Sequence, residues 1–295
     1  MDALKQAMAA AAVDVEATLQ KVMASAVEPE RRLFDAMRYA ALSGGKRLRP
    51  FLVIQGARLF SVGHKMALRT AAAIELVHCY SLVHDDLPAM DDDDLRRGKP
   101  TVHKAFDEAT AILTGDALLT LAFEVLSHPD THSNPEVRCR LVAALAHAAG
   151  AHGMVAGQMI DLSAADKDMD IGEITRLQRL KTGALIGFSC EAGAILGQAA
   201  EAQHEALRGY AHDLGLAFQI ADDLLDVEGT EEEVGKAVGK DAEQGKATFV
   251  SILGPERARD QANMLVEQAV DHLAIFDEKA DFLRKVARYI VERRS

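Results

Sequence analysis

Apolar residues along this chain recur at intervals of three and four, the spacing of one helix face. Between the breaks the segments are dominated by Ala, Leu, Glu, Gln, Met, Arg and Lys, the residues that give up least on entering a helix. The breaks fall at Pro29, Ser43-Gly44-Gly45, Gly63, Gly98-Lys99-Pro100, Pro129 to Pro135, Gly172, Gly229 and Gly254-Pro255. They predict helices over roughly 4–26, 30–42, 47–60, 66–90, 106–127, 135–163, 171–197, 202–228, 247–274 and 279–293, with ends good to about two to four residues. No alternating run flanked by hairpin signals stands out. Two stretches, 66–90 and 202–224, are apolar nearly all round, which assigns them to the centre of a large bundle. No linker-like composition divides the chain. The pattern predicts an all-α fold, a single large helical bundle over residues 1–295.

Both apolar stretches end in carboxylates. Residues 82–98 read Leu-Val-His-Asp-Asp-Leu-Pro-Ala-Met-Asp-Asp-Asp-Asp-Leu-Arg-Arg-Gly, so Asp85, Asp86 and Asp91 to Asp94 are followed at once by Arg96 and Arg97. Oxygen-only ligands suit a hard cation such as Mg²⁺, which shares its shell with water and substrate phosphates. Guanidinium forks suit the same phosphates. A solvated acidic surface also accounts for one such run. Downstream, however, Asp222-Asp223-Leu224-Leu225-Asp226 follows a second apolar run. Asp222 and Asp226 are four apart and share a helix face, where like charges repel by a few tenths of a kcal/mol. Two such sets predict the two walls of one metal–diphosphate site.

The first set has a phase problem. Asp85 and Asp91 are six apart, which on a straight helix leaves them about 120° out of register. Pro88 lies between them and cannot donate to the carbonyl four residues back. The helix is therefore expected to loosen around Leu87 to Met90 and let Asp91 swing back beside Asp85.

Composition narrows the partners. The 295 residues are 49% hydrophobic, enough for a substantial core. With 45 acidic against 33 basic residues the net charge is −12, which argues against a nucleic-acid partner. No apolar run approaches the ~18 residues of a membrane span. The N-terminal Met1-Asp2-Ala3-Leu4-Lys5 begins an amphipathic helix rather than a signal peptide. Cys79, Cys139 and Cys190 are widely spaced and odd in number, which reads as free thiols in a reducing, cytoplasmic setting.

The paired acid motifs resemble the two aspartate-rich motifs of the trans-isoprenyl diphosphate synthases. The likeness continues through Gly44-Gly45-Lys46-Arg47-Leu48-Arg49-Pro50, Gly157-Gln158-Met159-Ile160-Asp161-Leu162, Lys181-Thr182-Gly183, Phe218-Gln219 and Gly235-Lys236. It implies a bundle of the isoprenoid synthase type around a deep central pocket. It also implies Mg²⁺-dependent, head-to-tail condensation of isopentenyl diphosphate with allylic diphosphates, and a homodimer. On the same basis Asp85, Asp91 and Asp222 become ligands for about three Mg²⁺, with Mn²⁺ as a substitute. Asp86 becomes a supporting acceptor, and Asp223 and Asp226 hold metal-bound waters.

The resemblance assigns Lys46, Arg49 and His78, completed by Arg97, to isopentenyl diphosphate. His78 lies seven residues before Asp85, on the same face and about two turns deeper. A lone histidine there also fits a hydrogen-bonded core residue. Arg96, Lys181 and Lys236 resemble the clamp on the allylic diphosphate, and Thr182 and Gln219 would turn dipoles towards a developing carbocation. Gln158 and Asp161 would support Lys181 or the metals. Segment 229–245, with four glycines and two lysines, reads as a closing lid.

Product length in this family is set four or five positions before the first motif, here Ser81 and Tyr80. The helical wheel puts Ser81 beneath Asp85 and Tyr80 about 140° away. An aromatic at the fifth position together with the Pro88-Ala89 insertion resembles the bacterial farnesyl diphosphate synthases. Alternatives are a geranylgeranyl or geranyl diphosphate synthase. A terpene cyclase would not need the isopentenyl site and carries a different second metal motif. A regulatory small subunit would lack the acid motifs present here.

Overall fold

The structure, a computed structural model, describes residues 2–23, 27–164, 169–228 and 248–292. Each predicted stretch is helical among these residues, but glycines and prolines divide several of them. In chain order the elements are α1 (Asp2–Val22), α2 (Arg31–Ala41), α3 (Leu48–Leu59), α4 (His64–Asp85), β1 (Leu95–Arg96), β2 (Lys99–Pro100), α5 (Val102–Ala105) and α6 (Glu108–Ser127). There follow α7 (Pro135–Ala149), α8 (Met154–Ala164), α9 (Ile171–Gln178), a π-helical segment (Arg179–Gly183), α10 (Ala184–Leu196) and α11 (Glu201–Glu228). After residue 247 come α12 (Phe249–Leu253), α13 (Pro255–His272), a 3₁₀ segment (Leu273–Ala280) and α14 (Asp281–Glu292).

The divisions have local causes. Asp107 accepts from the Thr110 N–H at 2.7 Å, which starts α6 afresh after α5. A Cβ on Gly153 would fall 2.0 Å from the Ala148 carbonyl oxygen, so a glycine there lets the chain turn tightly between α7 and α8. Gly254 sits at φ +79° and Pro255 opens α13, so the stretch 247–274 is two helices rather than one. The one departure from an all-helical chain is a two-residue ribbon. Arg97 and Gly98 have φ of +53° and +74°, and on either side of them Leu95 pairs with Pro100 and Arg96 with Lys99. Strands of two residues leave no period for the sequence to display.

The centre of the bundle is α3, α4 and α10. α4 is buried along nearly its whole length from Ala67 to Val83, as its apolar pattern predicts. The second all-apolar helix is a correction: α11 exposes Glu201, Glu205, Arg208 and His212 on one face, whereas α10 is buried almost continuously from Leu185 to Leu196. The aliphatic stretch before Asp222 lies on the inner face of α11, and the outer face of its first half is polar. α10 reaches the centre because it crosses α3 through two glycines. A Cβ on Gly193 would lie 2.1 Å from the Gly56 carbonyl carbon, so the backbones touch.

The membrane expectation also needs correction. α4 and α6 do have the length and mean hydropathy of a span, 1.2 and 1.6 respectively. α4 directs that surface into the core, and α6 buries Ala111, Leu118, Ala122, Val125 and Leu126 on one side.

Gly193→Ala is expected to cost about 3 kcal/mol or more, since neither backbone at the crossing can give way. Gly187→Ala, on the same helix with nothing within 4 Å of its added Cβ, is expected to be neutral or stabilising by up to ~1 kcal/mol. Urea denaturation of both variants checks the contrast.

Candidate active site

α4 stops where its carboxylates begin. The Asp86 N–H still bonds to the Leu82 carbonyl at 3.1 Å, but the next turns are irregular. Pro88 has no N–H to give, Met90 donates to Leu87 at 2.8 Å, and Asp91 donates to the Asp85 carbonyl at 2.8 Å. The loosening expected around Leu87 to Met90 is present, and it folds Asp91 back onto Asp85. Burial, helped by Asp91 and Asp86, pushes the Asp85 carboxyl up to about 6 against the opposing pull of Lys181 and Arg96.

Asp86 points the other way and is 3% exposed. Arg96 Nε donates to both its carboxylate oxygens, at 2.7 and 3.0 Å. Burial of the Arg96 guanidinium is outweighed by Asp86, so its pKa is raised and it stays charged. The ribbon turn at Arg97-Gly98 folds Arg96 back over the end of α4. Asp86 is thus engaged with Arg96, which also acts on Asp85.

The glycine-rich loop carries the second group of cations. Arg47, in the left-handed conformation at φ +48°, ends this loop and is buried. Its guanidinium pairs with the buried Glu75 of α4, with Glu16 of α1 at 3.1 Å, and with the Ala41 carbonyl at 2.7 Å. Sequence reasoning gave Arg47 no role. The signal it overlooked is Glu75, a lone acid inside an otherwise apolar stretch.

Anchored in this way, the loop places Arg49 near His78, Arg97 and Asp222. The Arg49 Nε is shut off from solvent without a partner, and burial together with Arg97 lowers its pKa while Glu75 and Asp222 oppose. His78 is pushed well below its ordinary range by burial and by Arg49, Arg97, Arg96 and Arg47, so its ring is neutral. Arg97 donates to the Gly44 carbonyl and lies so close over Gly45 that a Cβ there would meet its Nη1 at 2.6 Å. Lys46 is exposed on the same loop.

The opposite wall is built by α8, the π segment and α11. Lys181 Nζ donates to Asp161 of α8 at 2.6 Å while also acting on Asp85. The two elements meet because Gly157 has no side chain: a Cβ there would lie 2.2 Å from the Lys181 nitrogen. Gln158 turns both amide atoms inward, buried and without a partner. Thr182, Gln219 and Asp222 are half-buried. Asp223 is buried and accepts from the Phe249 N–H at 2.9 Å, tying α11 to α12. Asp226 is buried as well. Lys236 and the rest of segment 229–245 lie outside the described residues.

Below the first motif, Tyr80 is buried with its ring edge-on to His84 at 5.6 Å. Burial and then Asp85 raise the Tyr80 pKa. Ser81 returns its hydroxyl to the His78 carbonyl at 2.9 Å. A separate cavity of about 410 Å³ bounded by α7, the π segment, α10 and α11 is lined by none of the residues assigned here.

The donors on the two walls are carboxylates, a set that fits Mg²⁺. Among the described residues no three His, Cys, Asp or Glu side chains converge closely enough to hold an ion unaided. That arrangement suits a cation that takes one or two carboxylates and completes its shell from phosphate and water.

Asp85 should also mark the stability of the cation-free protein. Its ordinary value of 3.8 rises to about 6 in the fold, so the native state keeps the proton longer than the unfolded chain. Stability therefore falls as pH rises from about 4 to 6, by roughly 2–3 kcal/mol from this group. In EDTA, Asp85→Asn is expected to remove that part of the pH slope and to be more stable than wild type at pH 7. Urea denaturation across pH 4 to 7.5 measures the difference.

A model of the polyprenyl synthetase family matches residues 30–286. The farnesyl diphosphate synthase of Geobacillus stearothermophilus is 44% identical over 268 residues, 90% of either chain. The geranylgeranyl diphosphate synthase of Cyanophora paradoxa is 43% identical over 88% of this chain and 87% of its own. Among solved structures, an apo FPP/GFPP synthase from Zymomonas mobilis matches with a TM-score of 0.91 and 54% identity, covering 98% of this chain and 99% of that one. The bundle is the all-α isoprenoid synthase fold. Similarity this high, carried along nearly the whole length, makes the chain a member of the polyprenyl synthetase family.

Proposed function

We propose that the protein is a Mg²⁺-dependent prenyltransferase that condenses isopentenyl diphosphate head to tail with dimethylallyl and then geranyl diphosphate, yielding farnesyl diphosphate. The carrying observation is the division of charge across one cleft. Asp85, with Asp91 beside it, lies within reach of Lys181 and Arg96, while Asp222 acts on Arg49 among the cations around His78.

Asp85, Asp91 and Asp222 are the residues that would hold about three Mg²⁺, or Mn²⁺ in their place. The chemistry the metal supplies when bound is neutralisation of the allylic diphosphate, which eases its departure. Lys181 and Arg96 bind that diphosphate, with Lys236 as a third cation. Asp161 and Asp86 already hold the first two in position, so little reorganisation accompanies binding. Lys46, Arg49 and Arg97 bind the second diphosphate, and the neutral His78 adds a hydrogen bond without adding charge.

The allylic C–O bond breaks with its electron pair leaving on the diphosphate. The isopentenyl double bond then attacks the allylic carbon, facing the dipoles of Thr182 and Gln219. The resulting cation loses a proton to the departed diphosphate, since His78 is held far below its ordinary pKa and makes a poor base. The apolar walls exclude water that would otherwise capture the cation.

Tyr80 closes the pocket beneath the first motif, with Ser81 beside it, and its buried ring supports farnesyl as the end product. Ile112 and Leu113 on α6 and Val155, Met159 and Leu162 on α8 are exposed apolar side chains that support a homodimer. The three free cysteines support a reducing, cytoplasmic setting. The whole chain acts as one domain.

Incubation with isopentenyl and dimethylallyl diphosphates plus Mg²⁺ should give farnesyl diphosphate by chromatography. No prenyl product would reject the activity, and a predominantly geranylgeranyl product would reject the chain length. Arg49→Ala is expected to raise KM for isopentenyl diphosphate about 10- to 100-fold, the loss of one charged hydrogen bond. A rise confined to the allylic substrate would show that the two diphosphate sites are reversed.

A further inference from the structure

We infer that His84 sets the product length by bracing Tyr80, and that Gly115 is a glycine in order to seat His84. The inference rests on Tyr80 as the floor of the pocket and adds the two residues that keep the floor in place. His84 lies one turn after Tyr80 on the same face of α4. Its ring stands edge-on to the phenol, with centroids 5.6 Å apart and planes at 89°. This T-shaped geometry is the one aromatic quadrupoles favour.

The imidazole is itself tethered across the helix interface. Its Nε2 lies 3.0 Å from the Ile112 carbonyl oxygen of α6, and the tautomer protonated at Nε2 donates to it. The seat for the ring is Gly115. A Cβ at that position would fall 2.0 Å from Nε2 and 2.3 Å from Cδ2, so the imidazole occupies the space that any other residue would need. Gly115 is buried inside α6, where glycine is a poor helix former and no turn calls for it. Room for His84 is the remaining reason for it.

A free phenol on χ1 could swing aside under a growing apolar chain. One wedged by a ring that is hydrogen-bonded to a neighbouring helix cannot yield without moving α6 as well. The chain-length stop is then a device spanning α4 and α6, with His84 as a positioning residue. Its position next to Asp85 couples the stop to the place where α4 ends.

The experiment compares product distributions of Tyr80→Ala, Tyr80→Phe, His84→Ala and Gly115→Ala, with the thermal midpoint of each recorded. Tyr80→Ala should lengthen the product, and Tyr80→Phe, which keeps the ring contact, should not. His84→Ala and Gly115→Ala should each raise the share of products longer than farnesyl diphosphate about five- to tenfold. The double variant should go no further than His84→Ala, because both changes remove one brace. Should His84→Ala fail to fold, His84→Gln replaces it, keeping an amide donor for Ile112 but no ring, and should also lengthen the product.

If Tyr80→Ala lengthens the product while the His84 and Gly115 variants do not, the brace is wrong and the floor stands. An unchanged product from Tyr80→Ala rejects the floor, and the brace falls with it. Longer products from His84→Ala alone would make His84 the wall itself, which also overturns the brace.

Discussion

Carboxylates gathered at the end of a buried helix repel one another and lose hydration together, and the fold is arranged around answering that cost. Several acids have a cation brought to them from another element. Arg96 on the ribbon meets Asp86, Lys181 on the π segment meets Asp161, and Arg47 on the glycine loop meets Glu75. Asp85 is buried beyond what Lys181 and Arg96 offset, which pushes its carboxyl up to about 6. A site that is deficient in positive charge when empty favours the arrival of cations. The irregular connectors of the bundle are therefore dictated by charge, whereas the regular helices are dictated by apolar burial.

The surroundings of His78 show the opposite imbalance. Four arginines act on a buried ring and disfavour its protonation, Arg47 and Arg96 among them already ion-paired, and Arg49 keeps one nitrogen buried and unpaired. Here the positive charge available to an anion is that of Arg49 and Arg97. An undercompensated acid on one side and undercompensated bases on the other leave the cleft electrostatically strained in two opposite senses. Paired substrates of the proposed reaction, one metal-bound and one not, relieve both at once.

How much of this the sequence disclosed follows from the physics of each signal. The bundle was legible because apolar periodicity is repeated over many turns, and the loosening after Asp85 because Pro88 removes a specific donor. The break between α7 and α8 was not, since Gly150 and Gly153 sit within a pattern that continues in phase on both sides. The exposure of α11 was misjudged because a mean over the stretch hides one polar face. Asp86 and Arg96 are ten residues apart in a segment without period, so only the turn at Arg97-Gly98 reveals that they pair. Arg47 and Glu75 are 28 residues apart, and nothing local links them. Pairings created by topology were the part beyond reach.

The π segment between α9 and α10 has one further consequence. A π turn accommodates one residue more than an α turn, so the helices on either side are offset by about 100° from a continuous helix. Ile174 and Leu177 on α9 and the buried run of α10 face their respective partners only because of that offset. Residues 179–183 are therefore a spacer in which length and winding are matched to each other. Shortening it by one would let an ordinary helix form throughout and leave α9 and α10 in their present relative phase, whereas winding the same residues as an α turn would rotate α9 by about 100° away from its present neighbours. Among homologous chains the one length change this stretch should accept is the loss of a single residue together with the π turn, since any other insertion or deletion would turn α9 against α10.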